Sequence, residues 1–225
     1  MNKVHLIDCM EFMKGIPDKY YELAIVDPPY GIGASRGGNG SRWHKYDRSN
    51  KNAWDDKPPD EFYWEELFRV SKNQIIWGMN NYILPSTQHF IVWDKKQPDG
   101  VTFAQAELAW TSFNGTSKIY SLSSNRQPDR IHPTQKPIAL YKWLLKNYAN
   151  PNDKIFDSHV GSGSIRIACH EMGFDFVGCE IDKDYWEAQE RRYRIFLAQP
   201  DIFAPEATYA EQPDIFETIR KIKEN

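Results

Sequence analysis

The chain has 225 residues, with 28 Lys and Arg against 31 Asp and Glu and a formal net charge of −3. That length suits one sizeable domain with a full core, and the charge balance excludes a global polycation, so a nucleic-acid partner would have to be held by a local basic surface. The cysteines Cys9, Cys169 and Cys179 are odd in number and lack metal-ligand spacing, which argues against a secreted disulfide framework, and no apolar run approaches the ~18 residues of a membrane span.

Val4 to Ile7 reads as a short strand closed by Asp8, and residues 9–14 as one or two helical turns that Asp8 can cap and Gly15 and Pro17 stop. An acid closing a strand either caps a helix or binds a ligand; on its own, Asp8 favours the cap. The apolar run Leu23-Ala24-Ile25-Val26 reads as a buried strand and ends in Asp27-Pro28-Pro29-Tyr30. Each proline fixes its own φ and biases the preceding residue towards extended geometry. An acid and an aromatic ring are thus held in fixed relation at the carboxyl end of a strand, where open α/β sheets place their ligands.

Residues 31–57 form a long polar loop that mixes Arg36, Arg42, Lys45, Arg48 and Lys51 with Trp43, His44, Tyr46 and Trp54. Loops beyond ~12–15 residues within a domain are usually functional or disordered. Basic side chains among aromatic ones suit a nucleic-acid backbone and unstacked bases. A helix follows from Pro58-Pro59-Asp60 to about Val70, then strands at Gln74 to Trp77, Gln88 to Trp93 and Glu107 to Thr111. Their short connections predict antiparallel pairing at one edge of the sheet. Residues 112–130 read as a second irregular segment, followed by Ile131-His132-Pro133-Thr134-Gln135-Lys136-Pro137 and a helix from Ile138 to about Tyr148.

Lys154 to Asp157 is a strand, and Ser158-His159-Val160-Gly161-Ser162-Gly163-Ser164 a glycine-rich turn into a helix from Ile165 to Met172. The strand Phe174 to Ile181 carries Glu180 near its end. Strand, glycine turn, helix, strand and terminal acid is the layout of a mononucleotide-binding half, in which the acid can accept from two ribose hydroxyls. No Gly-Lys-Ser/Thr is present to cradle phosphates. Asp184 to Gln199 reads as a long amphipathic helix, and the proline-bearing tail 200–225 carries no assignable chemistry.

A nucleoside pocket without a phosphate-binding lysine, beside an acid and a stacking ring, points to S-adenosylmethionine and a transfer reaction. Asp27-Pro28-Pro29-Tyr30, His132-Pro133-Thr134-Gln135-Lys136-Pro137 and Gly178-Cys179-Glu180-Ile181-Asp182, in that order, resemble the amino-group DNA methyltransferases. The order is that of the permuted members, in which the Asp-Pro-Pro-Tyr motif precedes the glycine motif, and the resemblance spans roughly residues 3 to 195. It implies an α/β, Rossmann-like sheet, mostly parallel with an antiparallel edge strand. The implied division is a catalytic domain over 1–199, with 31–57 as a DNA-contacting loop and 112–131 as a short target-recognition segment, and a C-terminal extension over 200–225.

The resemblance also implies roles. Asp157, Gly161 and Gly163 would line the methionine and ribose side of the cofactor, Glu180 would take the ribose hydroxyls, and Asp8 the adenine, against the cap reading. Thr134 and Lys136 would sit near the methionine carboxylate. Asp27 and the Pro28 carbonyl would accept hydrogen bonds from the target amino group, with Pro29 stiffening the loop and Tyr30 stacking on a flipped base. Asp at position 27 favours adenine N6 over cytosine N4. The family usually has Asp-Pro-Phe where this chain has Asp157-Ser158-His159, so His159 replaces an apolar wall of the cofactor pocket. No Pro-Cys dipeptide is present for carbon-5 chemistry, and no metal is expected. The implied partner is DNA, not a membrane, in a cytoplasmic setting of bacterial or phage type; the aromatic-rich surface permits a homodimer. The alternatives are a cytosine-N4 enzyme, or a catalytically weakened DNA-binding relative. Neutralising Arg42, Lys45 and Arg48 together is expected to weaken DNA binding and flatten its dependence on salt concentration; an unchanged slope would take the loop out of the interface.

Overall fold

The fold is built from apolar runs that become strands and from helices that cover them. The structure, a computed structural model, describes residues 1–32, 55, 57–100, 104–123, 130–132 and 134–199. Most of the basic loop 31–57, the stretch 124–129 and the tail 200–225 lie outside the described residues. The strands are β1 (Asn2–Leu6), β2 (Tyr21–Val26), β3 (Ser71–Trp77), β4 (Phe90–Asp94), β5 (Ala106–Thr111), β6 (Lys118–Ser121), β7 (Lys154–Asp157) and β8 (Asp175–Glu180). The helices are α1 (Cys9–Lys14), α2 (Glu61–Val70), α3 (Ile138–Tyr148), α4 (Ser164–Met172) and α5 (Lys183–Leu197).

Sequence sets the helix starts. Asp8, Asp60 and Asp182 each accept a backbone N–H of the helix they precede, from Met10, Tyr63 and Asp184 respectively. Such caps satisfy donors that no earlier turn can reach. Alternation along the strands divides the core in two. Leu23 and Ile25 of β2 pack with Ile75, Trp77, Ile155 and the α3 residues Leu140 and Leu144. Ala24 and Val26 face the other side, against Met13 of α1 and Leu67 and Val70 of α2, and Tyr21 at the start of the strand joins that cluster. The β2 interior is covered on both faces, as its unbroken apolar run required.

The strands form one sheet in the order β1-β8-β7-β2-β3-β5-β4-β6. All neighbouring pairs are parallel except β3 with β5 and β4 with β5. The sheet is therefore the mostly parallel Rossmann-like type, and its antiparallel strand β5 lies inside it, with β4 and β6 outboard. A hairpin closed by the Lys95 N–H on the Gln105 carbonyl (2.9 Å) turns β4 back into β5. β6 corrects the reading of 112–130 as wholly irregular: residues 118–121 add to the open side of β4 in parallel register.

Two crossovers fix the site. From β7 the chain passes through α4 to β8 on one side, whereas from β2 it passes through α2 to β3 on the other. β7 and β2 are themselves neighbours, with Leu23 opposite Ile155 and Ala24 opposite Phe156. The strand order reverses between them, which is where such sheets open a crevice beyond the strand ends.

Gly178 on β8 is set by close packing: a Cβ there would meet Val160 Cγ2 at 2.3 Å. Gly178→Ala is expected to destabilise the fold by about 1–3 kcal/mol through overpacking. Urea denaturation should show that adding Val160→Ala recovers part of this loss; strictly additive losses would contradict the packing assignment.

Candidate active site at the carboxyl edge of the sheet

Five acids collect at this edge because of strand direction. Asp8 follows β1, Glu180 ends β8, Asp157 ends β7 and Asp27 follows β2. The fifth, Glu107, arrives because β5 is antiparallel: Trp77 at the end of β3 pairs with Ala109, so Glu107, two residues earlier, reaches past the end of β3.

The Asp27 loop is held on several sides. Tyr82 hydroxyl bonds to the Pro28 carbonyl at 2.7 Å and reaches the Pro29 carbonyl at 3.1 Å. Asp55 Oδ1 accepts the Tyr30 and Gly31 N–H groups at 2.6 and 2.9 Å. The Tyr30 ring rests on Gly78, where a Cβ would stand 2.3 Å from the ring and φ is +78°. Only glycine meets both demands. The Tyr30 hydroxyl donates to Asp27 Oδ1 at 2.7 Å.

Asp27 Oδ2 accepts from the Lys136 ammonium, whose other flank lies 3.1 Å from Glu107 Oε2 as an ion pair rather than an aligned hydrogen bond. Glu107 Oε1 is paired in turn with Lys95 at 2.5 Å. The Lys136 side chain is 1% exposed. Its ammonium also lies 5.3 Å from the Trp77 ring centroid. Burial acts to lower the lysine pKa, but Asp27 and then Glu107 reverse this, so Lys136 is held above its ordinary value as a cation. Burial lifts the Asp27 carboxyl above its usual range, Lys136 opposes the lift and the Glu107 charge adds to it. Glu107 is held below the usual range because Lys136 and Lys95 outweigh its burial. Lys136 thus turns to the acid of the Asp-Pro-Pro-Tyr loop, whereas the resemblance had placed it towards a methionine carboxylate.

Across the crevice, the turn after β7 wraps the Glu180 carboxylate. Glu180 Oε2 accepts from the Gly161 N–H at 2.8 Å and Oε1 from the Asp182 N–H at 2.9 Å. Gly161 and Gly163 adopt φ of +51° and +72°, the region that favours glycine. Arg192 of α5 braces the same turn through the Ser162 carbonyl at 2.8 Å. The buried Asp157 accepts the His159 N–H at 3.0 Å, and burial pushes its carboxyl up to about 8. Thr134 hydroxyl bonds with His132 Nδ1 at 3.0 Å beside this turn. Burial pushes the His132 imidazole down to about 3. Asp8 performs the cap that its position suggested, accepting the Met10 N–H at 2.7 Å.

These residues suit a nucleoside. Each Glu180 oxygen has one backbone donor and retains acceptor capacity for a hydroxyl. The left-handed glycines keep side chains off the turn. Glu107, Tyr82, Asp55, Gly78 and Tyr63 were not singled out by sequence. Glu107 left one signal, a charge opening the otherwise apolar Leu108-Ala109-Trp110 run. Among the described residues, no cluster is arranged to hold a metal ion, and no helix is long and apolar enough to cross a membrane.

A family model described as DNA methylase matches residues 92–191. The Type II methyltransferase M1.MboII of Moraxella bovis is 21% identical, over 82% of this chain and 94% of its own length. The Type II methyltransferase M.HinfI of Haemophilus influenzae is 24% identical, over 89% of this chain and 70% of its own. The chain resembles the amino-group DNA methyltransferases. In fold it is similar to the M1.HpyAVI–SAM complex, with a TM-score of 0.56, 18% identity, and coverage of 85% of this chain and 100% of that one. It is also similar to the PvuII DNA methyltransferase, which is cytosine-N4-specific, with a TM-score of 0.59, 12% identity, and coverage of 98% and 92%.

The departure from the amino-group methyltransferase pattern at Asp157-Ser158-His159 is structurally accommodated. Tyr63 hydroxyl, Ser158 hydroxyl and His159 Nδ1 form a chain with links of 2.6 and 2.8 Å. The Tyr63 and His159 rings meet edge-on at 5.5 Å. Burial pushes the His159 imidazole down to about 4, so it is neutral at pH 7. A histidine with a depressed folded pKa supports stability above its unfolded pKa, ordinarily about 6.5, and that support is lost as pH falls towards the folded value. His159→Phe is therefore expected to shrink the loss of stability between pH 7 and pH 5 in urea titrations. An equal loss in both proteins would contradict the buried neutral imidazole.

Proposed function

We propose that this chain is an S-adenosylmethionine-dependent DNA methyltransferase that modifies adenine N6 in a base flipped from the duplex. The observation that carries this reading is the adjacency of β2 and β7, which sets the Asp27 loop beside the turn ending in the Glu180 pocket. An acceptor for an amino group and a pocket for a nucleoside share one crevice. When bound, the cofactor supplies an electrophilic methyl group on a sulfonium.

The chain's own residues supply position and electrostatics. An exocyclic amino nitrogen is a poor nucleophile because its lone pair is delocalised into the ring. Asp27 and the Pro28 carbonyl, accepting its two hydrogens, favour a more tetrahedral nitrogen and free the lone pair for attack. Such preorganised acceptors act most strongly where water is excluded. Lys136 favours the carboxylate form of Asp27, the form that can accept. The Tyr30 ring, seated on Gly78, gives the base a stacking wall. Glu180, Gly161, Gly163 and Asp157 would hold the ribose and methionine side, Thr134 would stand beside them, and Asp8 and His159 would flank the adenine side.

In this reading 1–199 is the catalytic unit, with 31–57 as a DNA-contacting loop and 112–131 as a short target-recognition segment. Asp27 within Asp-Pro-Pro-Tyr supports adenine. Cytosine N4 is the second reading, favoured by the fold likeness to the cytosine-N4-specific PvuII enzyme. Asp27→Ala is expected to abolish transfer of tritiated methyl from S-adenosylmethionine to unmethylated DNA while calorimetry finds cofactor affinity within a few-fold of wild type. Loss of cofactor binding would mean that the acid belongs to the other half of the crevice.

A further inference from the structure

Lys136 is contested. One carboxylate, Asp27, sits on the loop assigned to the amino group. The other, Glu107, sits on β5 and is anchored from behind by Lys95 of the β4–β5 hairpin. In a buried site, an ammonium with one acid partner closes on it and stays, because neither charge has water to turn to. With a second acid on its far flank, it can lean away without being left unpaired. Asp27 needs that freedom: Tyr30 and Lys136 already occupy Oδ1 and Oδ2, and an arriving amino group must share or displace one of them.

We propose that Glu107 is a positioning residue, the second acceptor that takes up the Lys136 ammonium and leaves Asp27 free to receive an amino group. The proposal rests on the functional reading above and adds to it a residue that touches neither base nor cofactor. Lys136 then works as a sliding counter-charge: closed on Asp27 in the resting site, and leaning on Glu107 when the amino group arrives.

Electrostatics gives this a signature. Asp27 is faced by Lys136, Glu107, Tyr30, Tyr82, Tyr141 and Asp157. Glu107 is faced further by Lys95 and Arg130. Removing the negative charge of Glu107 should let the Asp27 carboxyl ionise at lower pH while tightening its hold on Lys136. Removing a cation should move ionisation upward. A residue that merely filled space would move neither.

The test is the carboxyl titration of Asp27, followed by carbon NMR on the full chain with side-chain-labelled aspartate and assigned with Asp27→Asn. Glu107→Gln, nearly isosteric, is expected to shift the titration down by about one pH unit. Glu107→Asp, which keeps the charge, should shift it less. Lys95→Met, at a partly exposed site, should shift it upward. In methyl transfer to DNA, Glu107→Gln should lower kcat, with cofactor affinity unchanged and the acid limb of the pH profile moved down. An Asp27 titration that is the same in wild type and Glu107→Gln would overturn the proposal. So would an unchanged kcat and acid limb in Glu107→Gln with wild type active. The titration needs no turnover, so a wild type that binds cofactor but methylates no nucleic acid would defeat the functional reading separately.

Discussion

One buried ammonium governs the carboxyl edge of this sheet. Four parallel strand ends and the start of an antiparallel strand bring acids together there, and like charges in a low-dielectric site repel or take up protons. Lys136, placed between Asp27 and Glu107, makes the cluster tolerable. Removing one partner of such a buried pair commonly costs about 3–5 kcal/mol, because the charge left behind has no solvent. The fold is arranged around this need: Trp77 lies against the ammonium, Lys95 steadies Glu107, and Tyr30 holds the other oxygen of Asp27.

The second half of the crevice is organised differently. Around Glu180 the donors are backbone N–H groups, supplied by a turn that needs Gly161 and Gly163 at positive φ. One half of the crevice thus fixes an acid by side-chain charge, and the other by backbone geometry. The first suits a group that must change partners during a reaction, and the second suits a pocket that keeps its shape.

Much of this was legible in the sequence. The apolar run at 23–26, the strand at 154–157, the Asp8 cap, the helix start at Pro58-Pro59-Asp60 and the glycine turn are local signals, and the strands and helices formed where they indicate. β6 was missed because Lys118-Ile119-Tyr120-Ser121 is an edge strand with Ile119 exposed; its pairing with β4 makes it a strand, not its own pattern. Glu107 was missed for a related reason. Its role depends on β5 running antiparallel inside the sheet, a long-range fact that no short stretch encodes. Lys136 was singled out, but its direction was not legible: the neighbouring Thr134 turns to His132 at the glycine turn, while the ammonium points across to Asp27. His159, a departure in sequence, becomes intelligible only beside Tyr63 from α2.

The central claim is that the acid of the Asp-Pro-Pro-Tyr loop directs methyl transfer to an exocyclic amino group. Nucleoside mass spectrometry tests this most directly. Unmethylated DNA would be incubated with the protein and S-adenosylmethionine, then digested completely. The account predicts N6-methyldeoxyadenosine above a control without protein. Methylation at carbon 5 of cytosine, or cofactor binding without any methylated nucleoside, would contradict it.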